Sequence, residues 1–95
     1  MSAVYVIAML DFKDVARYRI YQSAFPVVFA DSGGQVVAAD ESPVPLTGDA
    51  TDKVVIMKFP DEETGRSFLE SPDYRKISED RDAGATVRSW MVRAL

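Results

Sequence analysis

Residues 53–81 read KVVIMKFPDEETGRSFLESPDYRKISEDR, and this stretch decides the fold. Lys53 to Phe59 is short, β-branched and apolar through its VVIM centre, the pattern of a strand buried on both faces. Asp61 then starts a helix, with Glu62 and Glu63 in the first turn, where carboxylates meet the helix dipole. Ser71-Pro72-Asp73 starts another: Ser71 as N-cap, Pro72 at the first helical position, Asp73 favoured by the dipole. Phe68 and Leu69 point inward, and Tyr74, Ile77 and Arg81 share one helical face.

Towards the N-terminus, Ala3 to Leu10 is a second apolar run, again predicted as a strand buried on both faces. Asp11 is placed as the N-cap of the following helix, with Asp14 in its first turn. Val15, Tyr18, Tyr21, Phe25 and Val28 or Phe29 then recur at helical spacing. Pro26 falls inside that pattern and predicts a kink. Gly33-Gly34 is expected to end the helix, one glycine supplying a left-handed cap. Gln35 to Asp40 reads as a strand. Residues 41–52, with Pro43, Pro45 and Gly48, read as a hairpin connection carrying at most a short edge segment.

Towards the C-terminus, Gly84 ends the last helix. Thr86 to Ala94 is the final strand, with Arg88 and Trp90 on one face and Val87 and Met91 on the other. The order is βαββαβ in a single domain over residues 1–95: an α+β fold, a four-stranded antiparallel sheet with helices on one face. Its uncovered face would then expose apolar surface on the order of several hundred Å2, more than a monomer carries. The expectation is a homodimer that packs sheet against sheet.

Composition narrows the chemistry. A chain of 95 residues supports one small core, and 47% hydrophobic residues leave apolar surface for a partner. The formal charge of −4, with 11 cations scattered among 15 acids, argues against nucleic acid. The chain has no Cys and no His. That removes thiolate nucleophiles, zinc–thiolate sites and the usual neutral-pH base, and it leaves Ser23, Ser67 and Ser89 with no triad. The carboxylates at Asp49 and Asp52, at Asp61 to Glu63, and at Glu79, Asp80 and Asp82 lack the spacing of a calcium loop; caps and solvated faces account for them. Gly33-Gly34 precedes a strand, so it is no phosphate loop. No metal site and no cofactor are expected. The opening AVYVIAML has no basic leader, and no run approaches the ~20 apolar residues of a membrane span. A cytoplasmic protein without membrane contact is the expectation.

Several of these residues fall into one larger pattern. Tyr5, the Tyr18 and Tyr21 pair, Gly33-Gly34, Gly48, Phe59-Pro60, Ser71-Pro72-Asp73-Tyr74 and Arg81, in this order, resemble the DUF1330 family. That family is a branch of the dimeric α+β barrel proteins with a ferredoxin-like fold, and the likeness covers nearly the whole chain. Asp61 and Gly65 depart from it, standing where Ser and Ala are usual. The resemblance implies a ferredoxin-like domain and a dimeric α+β barrel; it implies no reaction. Proteins sharing the barrel include haem-degrading and antibiotic-biosynthesis monooxygenases and small-molecule lyases, an analogy of fold rather than of function.

Six residues are candidates for binding a ligand: Tyr5, Tyr18, Tyr21, Tyr74, Arg81 and Trp90. Tyr18 and Tyr21 can offer two phenols to a cleft between helix and sheet, or pack the core with hydroxyls at its rim; packing is the stronger reading. Arg81, on the face of Tyr74 and Ile77, can hold a carboxylate or phosphate, or serve as a structural partner of Asp11, Asp14 or an acid of a second chain. Trp90 and Arg88, with Tyr5 across the sheet, suit an aromatic floor with an anion anchor; an interface explains them better. The function that follows is a homodimer binding a small organic molecule, an anion where Arg81 engages it, between helices and sheet. A non-enzymatic interaction dimer is the alternative, and a cofactor-free monooxygenase is a more distant one.

Overall fold

The chain runs β1 (Val4–Phe12), α1 (Val15–Phe29), β2 (Gln35–Asp40), β3 (Lys53–Phe59), α2 (Glu62–Leu69), α3 (Pro72–Gly84) and β4 (Ala85–Arg93). These elements belong to a computed structural model that describes residues 2–95. The strands form one antiparallel sheet in the order β2-β3-β1-β4. The βαββαβ order holds, with its second helical segment divided in two. Asp61 accepts from the Thr64 amide at 2.7 Å to start α2, and Ser71 accepts from the Tyr74 amide at 3.3 Å to start α3. Residues 41–52 form no strand.

Two expected boundaries differ. Asp11 does not cap α1, because β1 runs on to Phe12 and Asp14 takes the cap, accepting from the Arg17 amide at 3.3 Å. The strand extends because its end finds distant partners: the Phe12 amide donates to Asp52 at 2.8 Å, and Thr51 donates to Asp11 at 3.1 Å. Val15, one residue inside the helix, is consequently exposed rather than inward. At the other end α1 closes on Ala30 in right-handed conformation, so neither glycine caps it. Gly33 instead turns the chain at φ 81°, and Gly34 lies flat on the Phe59 ring, where a Cβ would sit 2.5 Å from Cε1. The helix continues through Pro26, whose missing N–H leaves the Gln22 carbonyl without its helical donor.

Alternation along the strands sorts the sheet into two faces. Val4, Val6 and Leu10 of β1 and Met57 and Phe59 of β3 turn towards the helices and are buried with Tyr18, Tyr21, Phe68 and Tyr74. Aromatic rings dominate this layer, from Phe25 stacked on Phe29 at 4.9 Å to Phe68 against Tyr74 at 4.5 Å. Gly65 sits in α2 because a Cβ there would meet the Met91 methyl at 3.0 Å and the Phe59 ring at 3.3 Å. α1 packs along α3, and the Lys13 and Asp14 amides donate to the Gly84 carbonyl at 2.9 and 3.0 Å.

The outer face carries Tyr5, Ile7 and Met9 of β1 with Val54 and Ile56 of β3 and Trp90 and Val92 of β4. Register places Ala38, Ile56, Ile7 and Trp90 in one row across all four strands. Among the described residues no helix covers this face. Trp90 is 48% exposed and Val92 45%.

Candidate ligand-binding cleft

β2 is an edge strand and stays exposed along its length, while α1 packs on α3. A cleft of about 230 Å3 therefore opens between α1 and the inner sheet face. Val6, Val55 and Met57 form its floor, and Tyr18, Tyr21 and Phe25 its helical wall. Tyr74 and Arg81 close one end, and Pro26, Val36 and Ala39 rim the mouth. Sheet alternation makes the floor apolar, and the three-and-four spacing of α1 makes the wall aromatic.

The polar end is a hydrogen-bonded chain. Arg81 Nη1 donates to the Tyr74 phenol oxygen at 3.1 Å, and the Tyr74 and Tyr21 hydroxyls are 2.9 Å apart. Within the chain Arg81 pairs with neither Asp11 nor Asp14; its Nε donates to Asp82 at 3.0 Å. Burial pushes the Tyr21 phenol far up, with Tyr74 adding to the shift, so Tyr21 stays protonated at neutral pH. Two phenols bring two hydrogens to this chain, and the contact between them consumes one. Among the described residues the second has no acceptor. A group entering the cleft is thus met by a phenol donor and by guanidinium.

Lys53 opens β3, where sequence alone gives it no further role, yet it is 4% exposed and lines the cleft. Its ammonium lies 4.8 Å from the Tyr18 ring centroid and 3.3 Å from Glu41 Oε2. Glu41 is occupied elsewhere too, since Arg19 donates to its two oxygens at 2.5 and 2.7 Å. No local pattern marks Lys53; what buries it is Tyr18 and Glu41, distant in sequence. Lys53 and Arg81 are both cations, and among the described lining residues no carboxylate joins them.

Tyr18, Tyr21, Tyr74 and Arg81 thus meet around one cleft. Tyr5 and Trp90 do not, because they lie on the outer face with the sheet between. There Tyr5 has Lys58 at 5.8 Å from its ring, and Trp90 has Arg88 at 5.9 Å.

The Glu41 carboxyl is held down to about 2 from an ordinary 4.5, chiefly by the Arg19 hydrogen bonds, with Lys53 adding to them against partial burial. A depressed folded-state value means its stabilisation is complete above pH 4.5 and fades as pH falls towards 2. Glu41→Gln should therefore be less stable than the parent at neutral pH, with the gap closing through that acid window. Thermal unfolding of both proteins against pH checks this, and a gap independent of pH would contradict it.

A family model described as "Domain of unknown function (DUF1330)" matches residues 3–95. Among curated proteins, none matches. Solved structures do. RPA0582, a protein of unknown function from Rhodopseudomonas palustris, is 19% identical with a TM-score of 0.84 over 99% of this chain and 83% of that one. A dimeric ferredoxin-like protein of unknown function from Thermobifida fusca is 14% identical, TM-score 0.73, over 98% and 92%. SnoaB, a cofactor-independent oxygenase from Streptomyces nogalater, is 17% identical, TM-score 0.73, over 100% and 95%. At these identities the likeness is one of fold, and the fold is ferredoxin-like. Among the described residues no helix is long and apolar enough to cross a membrane.

Proposed function

This chain belongs to the DUF1330 family, and from the charge of its cleft we propose that it binds a small organic anion between α1, α3 and the sheet, as a homodimer closed over the outer sheet face. One observation carries the reading: a chain of net charge −4 lines its apolar cleft with two cations and, among the described residues, no acid. Scattered surface charge would put carboxylates there as readily as cations. The spare phenol hydrogen beside Arg81 adds a neutral donor to the same end. The volume, about 230 Å3, suits a small metabolite rather than a large cofactor. Turnover, where it occurs, would come from orienting a substrate that brings its own reactivity.

The dimer is supported by the row Ile56, Ile7 and Trp90 at the centre of a bare sheet face, and by the description of the Thermobifida fusca neighbour as dimeric. Lys58, Arg88 and Asp40 at the margins of that face give it charges of both signs, which two antiparallel copies can pair.

Thermal-shift screening of organic acids, amines and neutral compounds tests the site. Acids should raise the melting temperature of the wild type and leave Arg81→Ala unmoved, with a loss of about tenfold or more in affinity for the best of them. Identical responses of the two proteins to every compound would overturn the assignment.

The SnoaB likeness favours a second reading, oxygenation without a cofactor. Such chemistry needs a group to take a proton from the substrate. The chain has no His, and the cleft's phenol Tyr21 is pushed away from that role by burial. Oxygen uptake with electron-rich phenols would bring this reading forward, and silence across a broad panel would retire it.

A further inference from the structure

We infer that the cleft takes a two-headed ligand, one acidic group held by Arg81 and the phenol pair and a second held by Lys53, with an apolar body between them. The inference rests on the anion-binding reading and specifies its substrate class.

Lys53 carries the argument because its charge is buried and poorly served. An ammonium has three donors. One reaches Glu41 Oε2 at 3.3 Å, a long contact, and the face of Tyr18 receives the ammonium at 4.8 Å. Among the described residues the remaining donor has no acceptor. Charge shows the same deficit. Glu41 is shared by Arg19 and Lys53, and Arg19 holds the shorter bonds, to both carboxylate oxygens. The three groups together keep one positive charge, at a side chain 5% exposed. A buried cation in this state favours an incoming anion strongly.

Lys53 and Arg81 also sit against different rings. Lys53 lies over Tyr18, and Arg81 over Tyr74 at 5.9 Å. The rings between them run Tyr18, Tyr21, Tyr74, with neighbouring centroids 5.5 and 6.2 Å apart. On this reading each cation takes its own acidic group, one at either end of that row. Between them the floor is Val6, Val55 and Met57, which accepts methylene or aromatic carbon and leaves no polar demand in the middle.

The test is a ladder of straight-chain dicarboxylates from succinate to sebacate, each titrated beside its monocarboxylate of equal length by calorimetry. In the wild type one dicarboxylate should bind about tenfold more tightly than its monocarboxylate, with affinity peaking at a single chain length. Lys53→Met should abolish that advantage and keep monocarboxylate binding. Glu41→Gln, which removes the negative charge beside Lys53, should enlarge it. Should Lys53→Met fail to fold, the wild-type ladder and Glu41→Gln still decide. Equal binding of the two series, both lost in Arg81→Ala, would overturn the second head and leave the single-anion site standing. Binding indifferent to Arg81→Ala, or no binding by either series, would overturn both.

Discussion

Replacing Gly84 with alanine should lower the unfolding free energy by about 2–3 kcal/mol. The sign is the informative part. Alanine for glycine near a helix end ordinarily stabilises, by roughly 0.5–1 kcal/mol through helix propensity and unfolded-chain entropy. At Gly84 the space is already taken: a Cβ would meet the Tyr18 amide nitrogen, the Asp14 carbonyl oxygen at 2.8 Å and the Tyr18 Cα at 2.9 Å. These are backbone atoms and cannot swing aside, so α1 must lift from α3. Lifting it breaks the paired bonds from Lys13 and Asp14 to the Gly84 carbonyl and moves Tyr18, a wall of the cleft. Urea unfolding of the two proteins measures the effect. A variant as stable as the parent would show that the helices do not approach this closely.

Ile7→Asp should turn a dimer into a monomer, weakening self-association by on the order of a thousandfold or more. Ile7 occupies the middle of the outer face, directly between Ile56 and Trp90. In a closed dimer the introduced carboxylate would be buried among Ile56, Trp90 and the facing copy, and a buried charge without a partner costs several kcal/mol. In a monomer the same position meets water, so the folded chain should tolerate it. Sedimentation velocity reads the dissociation, and circular dichroism confirms that the fold survives. A wild type that sediments as a monomer at micromolar concentration, or a variant that remains dimeric, would contradict the assignment of this face.

How much of this was legible in the chain depends on how local each cause is. Asp61 and Ser71-Pro72 marked α2 and α3 because a cap is satisfied within three residues, and Lys53–Phe59 stands as read. Asp11 misled because two aspartates three apart offer equal caps. The choice between them was made by Thr51 and Asp52, some 40 residues away, which hold β1 extended. Gly33-Gly34 likewise looked like a helix cap, whereas Gly34 is there for contact with Phe59. Alternation placed Arg88 and Trp90 on one strand face, but nothing in the strand itself says which face the helices cover. Tyr5 and Trp90 could therefore not be separated from Tyr18, Tyr21, Tyr74 and Arg81 before the fold was known. Lys53 is hidden in the sequence for a related reason. A lysine opening a strand looks solvated, and only the convergence of Tyr18 from α1 and Glu41 beyond β2 buries it.

The proposed anion site lies on the helical side of the sheet. Amide chemical shifts recorded while titrating the best-binding acid from the screen locate it most directly. Shifts confined to α1, α3 and the inner strands, led by Tyr18, Lys53, Tyr74 and Arg81 and absent in Arg81→Ala, are the result predicted here. Shifts centred on Ile7, Ile56 and Trp90, or a spectrum that no acid moves, would contradict it.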